Sequence, residues 1–177
     1  TKPLDSQSLL DGYQAGLTVG HIQYAFWGAS LYVEHSLFRA SPIGPLLQEC
    51  RRLHAEMEEH THPARWNTLY WSKVLENLSS TGSPRIDDCL QQEQSNDASS
   101  STGGSPPSVA RISFAVSAMY LAFMMDDYEH VFHVRDNVVD ESMVEAAKPG
   151  HFVVCGIFHI VTLAAISLFR TTQRRRY

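Results

Sequence analysis

The stretch Ala118-Met-Tyr-Leu-Ala-Phe-Met-Met-Asp-Asp-Tyr-Glu-His-Val-Phe132 decides the fold: an apolar run, a short acidic turn, and a second run opening on an aromatic residue. Ala115, Ala118 and Ala122 recur at i, i+3 and i+7, so a neighbouring helix can approach closely along that row. The turn at Asp126-Asp127 then folds the chain back, Asp127 supplying an N-cap for the helix from Tyr128. Such a pair leaves one apolar face for the next pair to cover, which is the unit of helical-repeat architecture.

Working outward, the same grammar recurs. Leu9 to Val19 reads as a helix ended by Gly20, and Ile22 to Phe38 follows with Ala25, Gly28, Ala29 and Tyr32 along one face. Ser41-Pro42 predicts an N-cap with proline at the first helical position, opening a helix to about His60. Its buried stripe is Ile43, Leu46, Leu47, Cys50, Leu53 and Met57; Gln48, Glu49, Arg51, Arg52, Glu56, Glu58 and Glu59 make the wet side. His62-Pro63 interrupts, because the residue before proline is pushed out of helical geometry. Ala64 to Leu78 restarts with Trp66, Leu69, Tyr70, Val74 and Leu78 expected inward. From Ser79 to Pro107 the composition turns to Ser, Gly, Asp, Gln and Pro, which predicts a disordered loop with one helical turn near Ile86 to Gln92. Ser108 caps the next helix to about Met125, and the partner helix from Tyr128 is expected to reach about Ala147 before Lys148-Pro149-Gly150 stops it. Phe152 to Phe169 closes the sequence, almost uniformly apolar. The reading is therefore all-α: a tetratricopeptide-like stack of about three antiparallel helical hairpins, an α-solenoid fragment. It divides into hairpins over 1–78, the Ser/Gly/Pro-rich loop over 79–107, and a hairpin plus apolar helix over 108–177.

With 177 residues, 44% hydrophobic and 19% charged, the chain suits one domain or a few hairpins, and its net charge of −5 argues against a nucleic-acid platform. The one basic run, Arg174 to Arg176, reads as a solvated tail. Three cysteines, Cys50, Cys89 and Cys155, lack paired spacing, which points away from a disulfide framework and towards a reducing, cytoplasmic setting. No secretory leader precedes the first helix, so the glycosylation triplet Asn77-Leu78-Ser79 carries little weight. The start at Thr1 and the Arg-rich end suggest a piece of something longer.

The hairpins resemble the tetratricopeptide-like helical region of large signalling proteins that join a STAND-type AAA ATPase to kinase modules. Three stretches carry the resemblance: Leu10-Asp-Gly-Tyr-Gln-Ala-Gly-Leu-Thr-Val-Gly-His-Ile-Gln-Tyr-Ala25, Tyr120-Leu-Ala-Phe-Met-Met-Asp-Asp-Tyr-Glu129 and Gly150-His-Phe-Val-Val-Cys-Gly-Ile-Phe-His159. The Ser-rich segment departs from the family's pattern, and the phosphate-binding loop an ATPase needs is missing. His133-Val-Arg-Asp-Asn137 is broken by Val134 where a kinase catalytic loop needs His-Arg-Asp. The resemblance implies a regulatory or protein-interaction segment without catalysis of its own, acting on a protein partner or on attached signalling domains.

Chemistry is weighed against packing at each cluster. His54, Glu58 and His62 share helical spacing, but Pro63 ends the helix, so a solvated helix end is expected rather than a metal site. Asp126, Asp127, Glu129, His130 and His133 read as a capped helix start, since carboxylates favour that end of the dipole. Cys50 and Cys155 are expected to be small buried residues, and Trp27, Trp66 and Trp71 to be core. No catalytic, cofactor-binding or metal-binding residue is assigned. The alternative is a single-pass or peripheral membrane protein anchored by 152–169, a charge-free segment near the length that spans hydrocarbon and followed by arginines.

Overall fold

A computed structural model describes residues 6–39, 41–80, 108–139 and 152–174. Those residues form seven α-helices and no strand: α1 Ser6–Thr18, α2 Ile22–Phe38, α3 Ile43–Glu59, α4 Arg65–Ser79, α5 Ser108–Met124, α6 Tyr128–Val138 and α7 Phe152–Arg174. The Ser-rich loop beyond Ser80, the turn expected at Ile86 to Gln92 and the segment 140–151 lie outside the described residues. The helices group into two compact units, Thr1–Pro84 and Arg85–Tyr177.

In the first unit α1 packs on α2, α3 packs on α4, and α2 also meets both α3 and α4. Gly16 lets the first pair close: a Cβ there would lie 2.9 Å from the Cβ of Ala25. The core is Tyr13, Phe26, Val33, Leu53, Met57, Trp71 and Leu75, all below 2% exposed. In the second unit α5 packs on α6 and α7, and α6 on α7. Ala115, Ala118 and Ala122 are buried, as the small-residue row requires. From Ile112 to Ala122 every residue of α5 is buried, the pattern of a helix that is apolar all round.

All three hairpins turn in the same way. At the end of α1, His21 N–H donates to Gly16 O at 2.8 Å and Gly20 N–H to Leu17 O at 3.2 Å, with Gly20 left-handed at φ +77°. After α3, His62 donates to Met57 O and Thr61 to Glu58 O, both at 2.9 Å, with Thr61 at φ 48°. After α5, Asp127 donates to Ala122 O at 2.9 Å and Asp126 to Phe123 O at 3.1 Å, with Asp126 at φ 59°. Each is the paired 6→1 and 5→2 closure that satisfies the last carbonyls of a helix.

Four local expectations are corrected. Ser41 does not cap α3: Pro42 occupies the N-cap in an extended conformation, with no side-chain cap bond, and helical geometry begins at Ile43. Tyr70 and Val74 of α4 are buried as expected, but Asn67, Thr68, Trp71 and Leu75 share that side with them, whereas Trp66, Leu69 and Leu78 are half-buried. Asn67 donates to Ser30 Oγ, the Thr68 hydroxyl donates to Arg65 O at 3.0 Å, and the Thr68 backbone carbonyl accepts from Cys50 Sγ at 3.1 Å, so these polar groups are satisfied inside the core. The helix α6 stops at Val138, because Val139 turns extended, rather than running to Ala147. The last helix reaches Arg174 instead of Phe169, and among the described residues no helix is long and apolar enough to cross a membrane.

Candidate functional site

The two faces of α2 differ in kind. One face buries Ala25, Phe26, Ala29, Val33 and Leu37 against its neighbours. The other carries Tyr24, Trp27, Leu31, Glu34 and Phe38 at i, i+3, i+7, i+10 and i+14. Tyr24 is 79% exposed and Phe38 49%, and the three between are half-buried. Val19, at the α1–α2 turn, adds an apolar side chain 67% exposed. Exposed aromatic rings at such spacing suit the reception of another helix or an extended segment. Within the stripe, burial alone pushes the Glu34 carboxyl up to about 7.

Trp27 is held in place by a chain of contacts from the α3–α4 turn. Its ring meets that of His62 edge-on at 5.8 Å, and His62 packs on Phe26 at 5.2 Å. His62 is 1% exposed and uses both ring nitrogens. Ala64 N–H donates to Nδ1 at 3.1 Å, so the proton sits on Nε2, which donates to Gln23 Oε1 at 2.8 Å. Burial, with the neighbouring His60 charge second, lowers its pKa and keeps the ring neutral. His62 therefore corrects the expectation of a solvated helix end. The left-handed Thr61 turns it inward as a buttress of the α2 face, and its occupied nitrogens leave no lone pair for a metal. His54 stays with α3, its Nδ1 donating to Arg65 O at 3.1 Å, while Glu58 is exposed and 3.6 Å from Arg65.

Cys50 is fully buried, its thiol pushed up to about 12 chiefly by burial, which removes it as a nucleophile at neutral pH. The side chain of Cys155 and all of Cys89 lie outside the described residues. Trp71 is core as expected; Trp27 and Trp66 are half-buried instead, Trp66 stacking on Tyr70 at 6.5 Å under the Arg65 guanidinium. Asp127 caps α6 by accepting from His130 N–H at 3.1 Å. In His133-Val-Arg-Asp-Asn137, Asn137 Nδ2 donates back to His133 O at 2.8 Å, an ordinary helical surface contact. Among the described residues, no group of three or more His, Cys, Asp or Glu converges as a metal would need.

Compared with known proteins, the chain matches no family model, no curated protein and no solved structure. Its function has to be read from the helices themselves, among which α2 carries the row of partly exposed aromatic side chains.

Proposed function

We propose that this chain is a helical interaction scaffold, a tetratricopeptide-like segment that grips a protein partner and so biases attached signalling domains, as its resemblance to the helical region of STAND-type ATPase and kinase proteins implies. The supporting observation is the hairpin turn used three times, at Gly20, Thr61 and Asp126, with the same pair of backbone bonds. Recurrent closure of this sort favours a modular stack, in which function comes from surfaces presented by rigid elements. Within that reading the α2 stripe is the contact face and His62 fixes its central Trp27. A partner alters the scaffold only through different affinity for two packings of the hairpins. The setting that fits is cytoplasmic, given a buried, unpaired Cys50.

Site-specific photocrosslinking in cells tests the proposal. A photoreactive residue at Tyr24 is expected to yield one discrete adduct with another polypeptide, and the same group at the exposed Gln48 none. Adding Trp27→Asp should abolish the Tyr24 adduct. Adducts at neither position, or equal adducts at both, would overturn the assignment of α2 as the contact face.

A further inference from the structure

We propose that the outward face of α7 carrying Ile166 and Phe169, edged by Arg170, docks on the surface of an anionic phospholipid bilayer. Ile160 and Ala164 face inward at 3% and 0% exposure, and fix which side of the helix is covered. On the opposite side Thr162, Ile166 and Phe169 follow one another at i, i+4 and i+7. Ile166 is 44% exposed and Phe169 63%, both large apolar groups, and Arg170 beside them is exposed as well.

Charge along the chain decides the occupant. From Ala146 to Tyr177 the sequence holds five basic residues, Lys148, Arg170, Arg174, Arg175 and Arg176, and no Asp or Glu, in a chain whose net charge is −5. In sequence, the last 32 residues thus carry a net charge of +5 and the preceding 145 a net charge of −10, and of the five basic residues Arg170 is the one whose side chain is described. Arg170 beside exposed apolar side chains matches the boundary of an anionic leaflet, where a headgroup phosphate takes the cation and acyl chains take Ile166 and Phe169. A nucleic acid would satisfy the arginines but leave Ile166 against water. The helix lies in the interface plane, since its inward side stays committed to α5 and α6. This inference uses α7 alone and stands or falls independently of the α2 contact face.

The full chain is sedimented with vesicles of phosphatidylcholine containing about 30% phosphatidylserine, and with phosphatidylcholine vesicles alone. Binding is expected only to the anionic vesicles, and it should weaken as salt rises from roughly 0.05 to 0.5 M. The double substitution Ile166→Ser, Phe169→Ser should lower partitioning about ten-fold with an unchanged circular dichroism spectrum. Arg170→Gln should lower it about five-fold, and Phe169→Leu should retain it. No binding to the anionic vesicles, or equal binding to both kinds, would overturn the proposal. So would binding that salt and Arg170→Gln weaken but the double substitution leaves intact, because that marks a general polyanion site of the kind a nucleic acid fills. Loss with Phe169→Leu as well, at unchanged helicity, would also count against it.

Discussion

Thr61 and His62 show how much a single turn settles. Thr61 is β-branched yet held at φ 48°, a region in which only glycine is comfortable. Thr61→Gly should therefore stabilise the fold by about 0.5–1 kcal/mol in urea denaturation, the relief of strain exceeding the entropy glycine adds to the unfolded chain. His62 is held neutral, so below its ordinary value of 6.5 the unfolded chain gains a proton that the folded one refuses. Its contribution is complete above that value and declines as pH falls through it. Glu34 has the opposite sign, because its carboxyl titrates near 7 when folded and near 4.5 when unfolded. The folded state binds the extra proton between those values, so stability falls as pH rises from 4.5 to 7. Glu34→Gln is expected to gain about 2 kcal/mol at pH 8, discounted for partial exposure, and nothing at pH 4. The variant should then lose stability towards acid through His62, a loss that Glu34 opposes in the parent across the same pH range. Chemical denaturation across pH distinguishes the two profiles.

At the scale of elements, the sequence disclosed helices more readily than it disclosed their orientation. The breaks at Gly20, His62-Pro63 and Asp126-Asp127 were legible because each interrupts an apolar period with a residue suited to a turn. The inner side of α4 was legible at Tyr70 and Val74, which are buried as expected, and not at Asn67, whose partner Ser30 comes from α2, where apolar periodicity has no means of finding it. The α2 stripe was present as heptad-like spacing of Tyr24, Trp27, Leu31, Glu34 and Phe38, but the row of small residues on the same helix is the stronger packing signal. Which of the two faces stays open depends on tertiary contacts. Two glycines of α1 separate propensity from packing. A Cβ at Gly12 meets nothing within 4 Å, whereas one at Gly16 meets Ala25 at 2.9 Å. Gly12→Ala should stabilise by about 0.5–1 kcal/mol through helix propensity. Gly16→Ala should destabilise despite the same gain, by about 1–3 kcal/mol, as α1 and α2 are forced apart. Thermal denaturation of the pair gives shifts of opposite sign, and equal shifts would remove the close α1–α2 approach from the account.

For the molecule as a whole, the division into two units gives a direct test of the packing argument. All three tryptophans, Trp27, Trp66 and Trp71, belong to Thr1–Pro84, so their fluorescence reports that unit alone. The core of that unit is made by α1 to α4, with Tyr13 donating to Glu56 across from the first hairpin to the second and Trp71 closed in beside Phe38. In the other unit Ala118 is 5% exposed and part of the row against which a neighbouring helix rests. Ala118→Asp buries a carboxylate in an apolar row, a cost of about 3 kcal/mol or more. The expected result is selective: far-ultraviolet circular dichroism loses the share contributed by α5, α6 and α7, and tryptophan emission keeps the position and melting temperature of the parent chain. Ala118→Ser, of similar size and uncharged, should preserve both signals. If Ala118→Asp leaves the helical signal intact, the small-residue row is not a packing surface. A simultaneous collapse of tryptophan emission would mean instead that the first unit depends on α5, and the modular reading would give way to a single cooperative core.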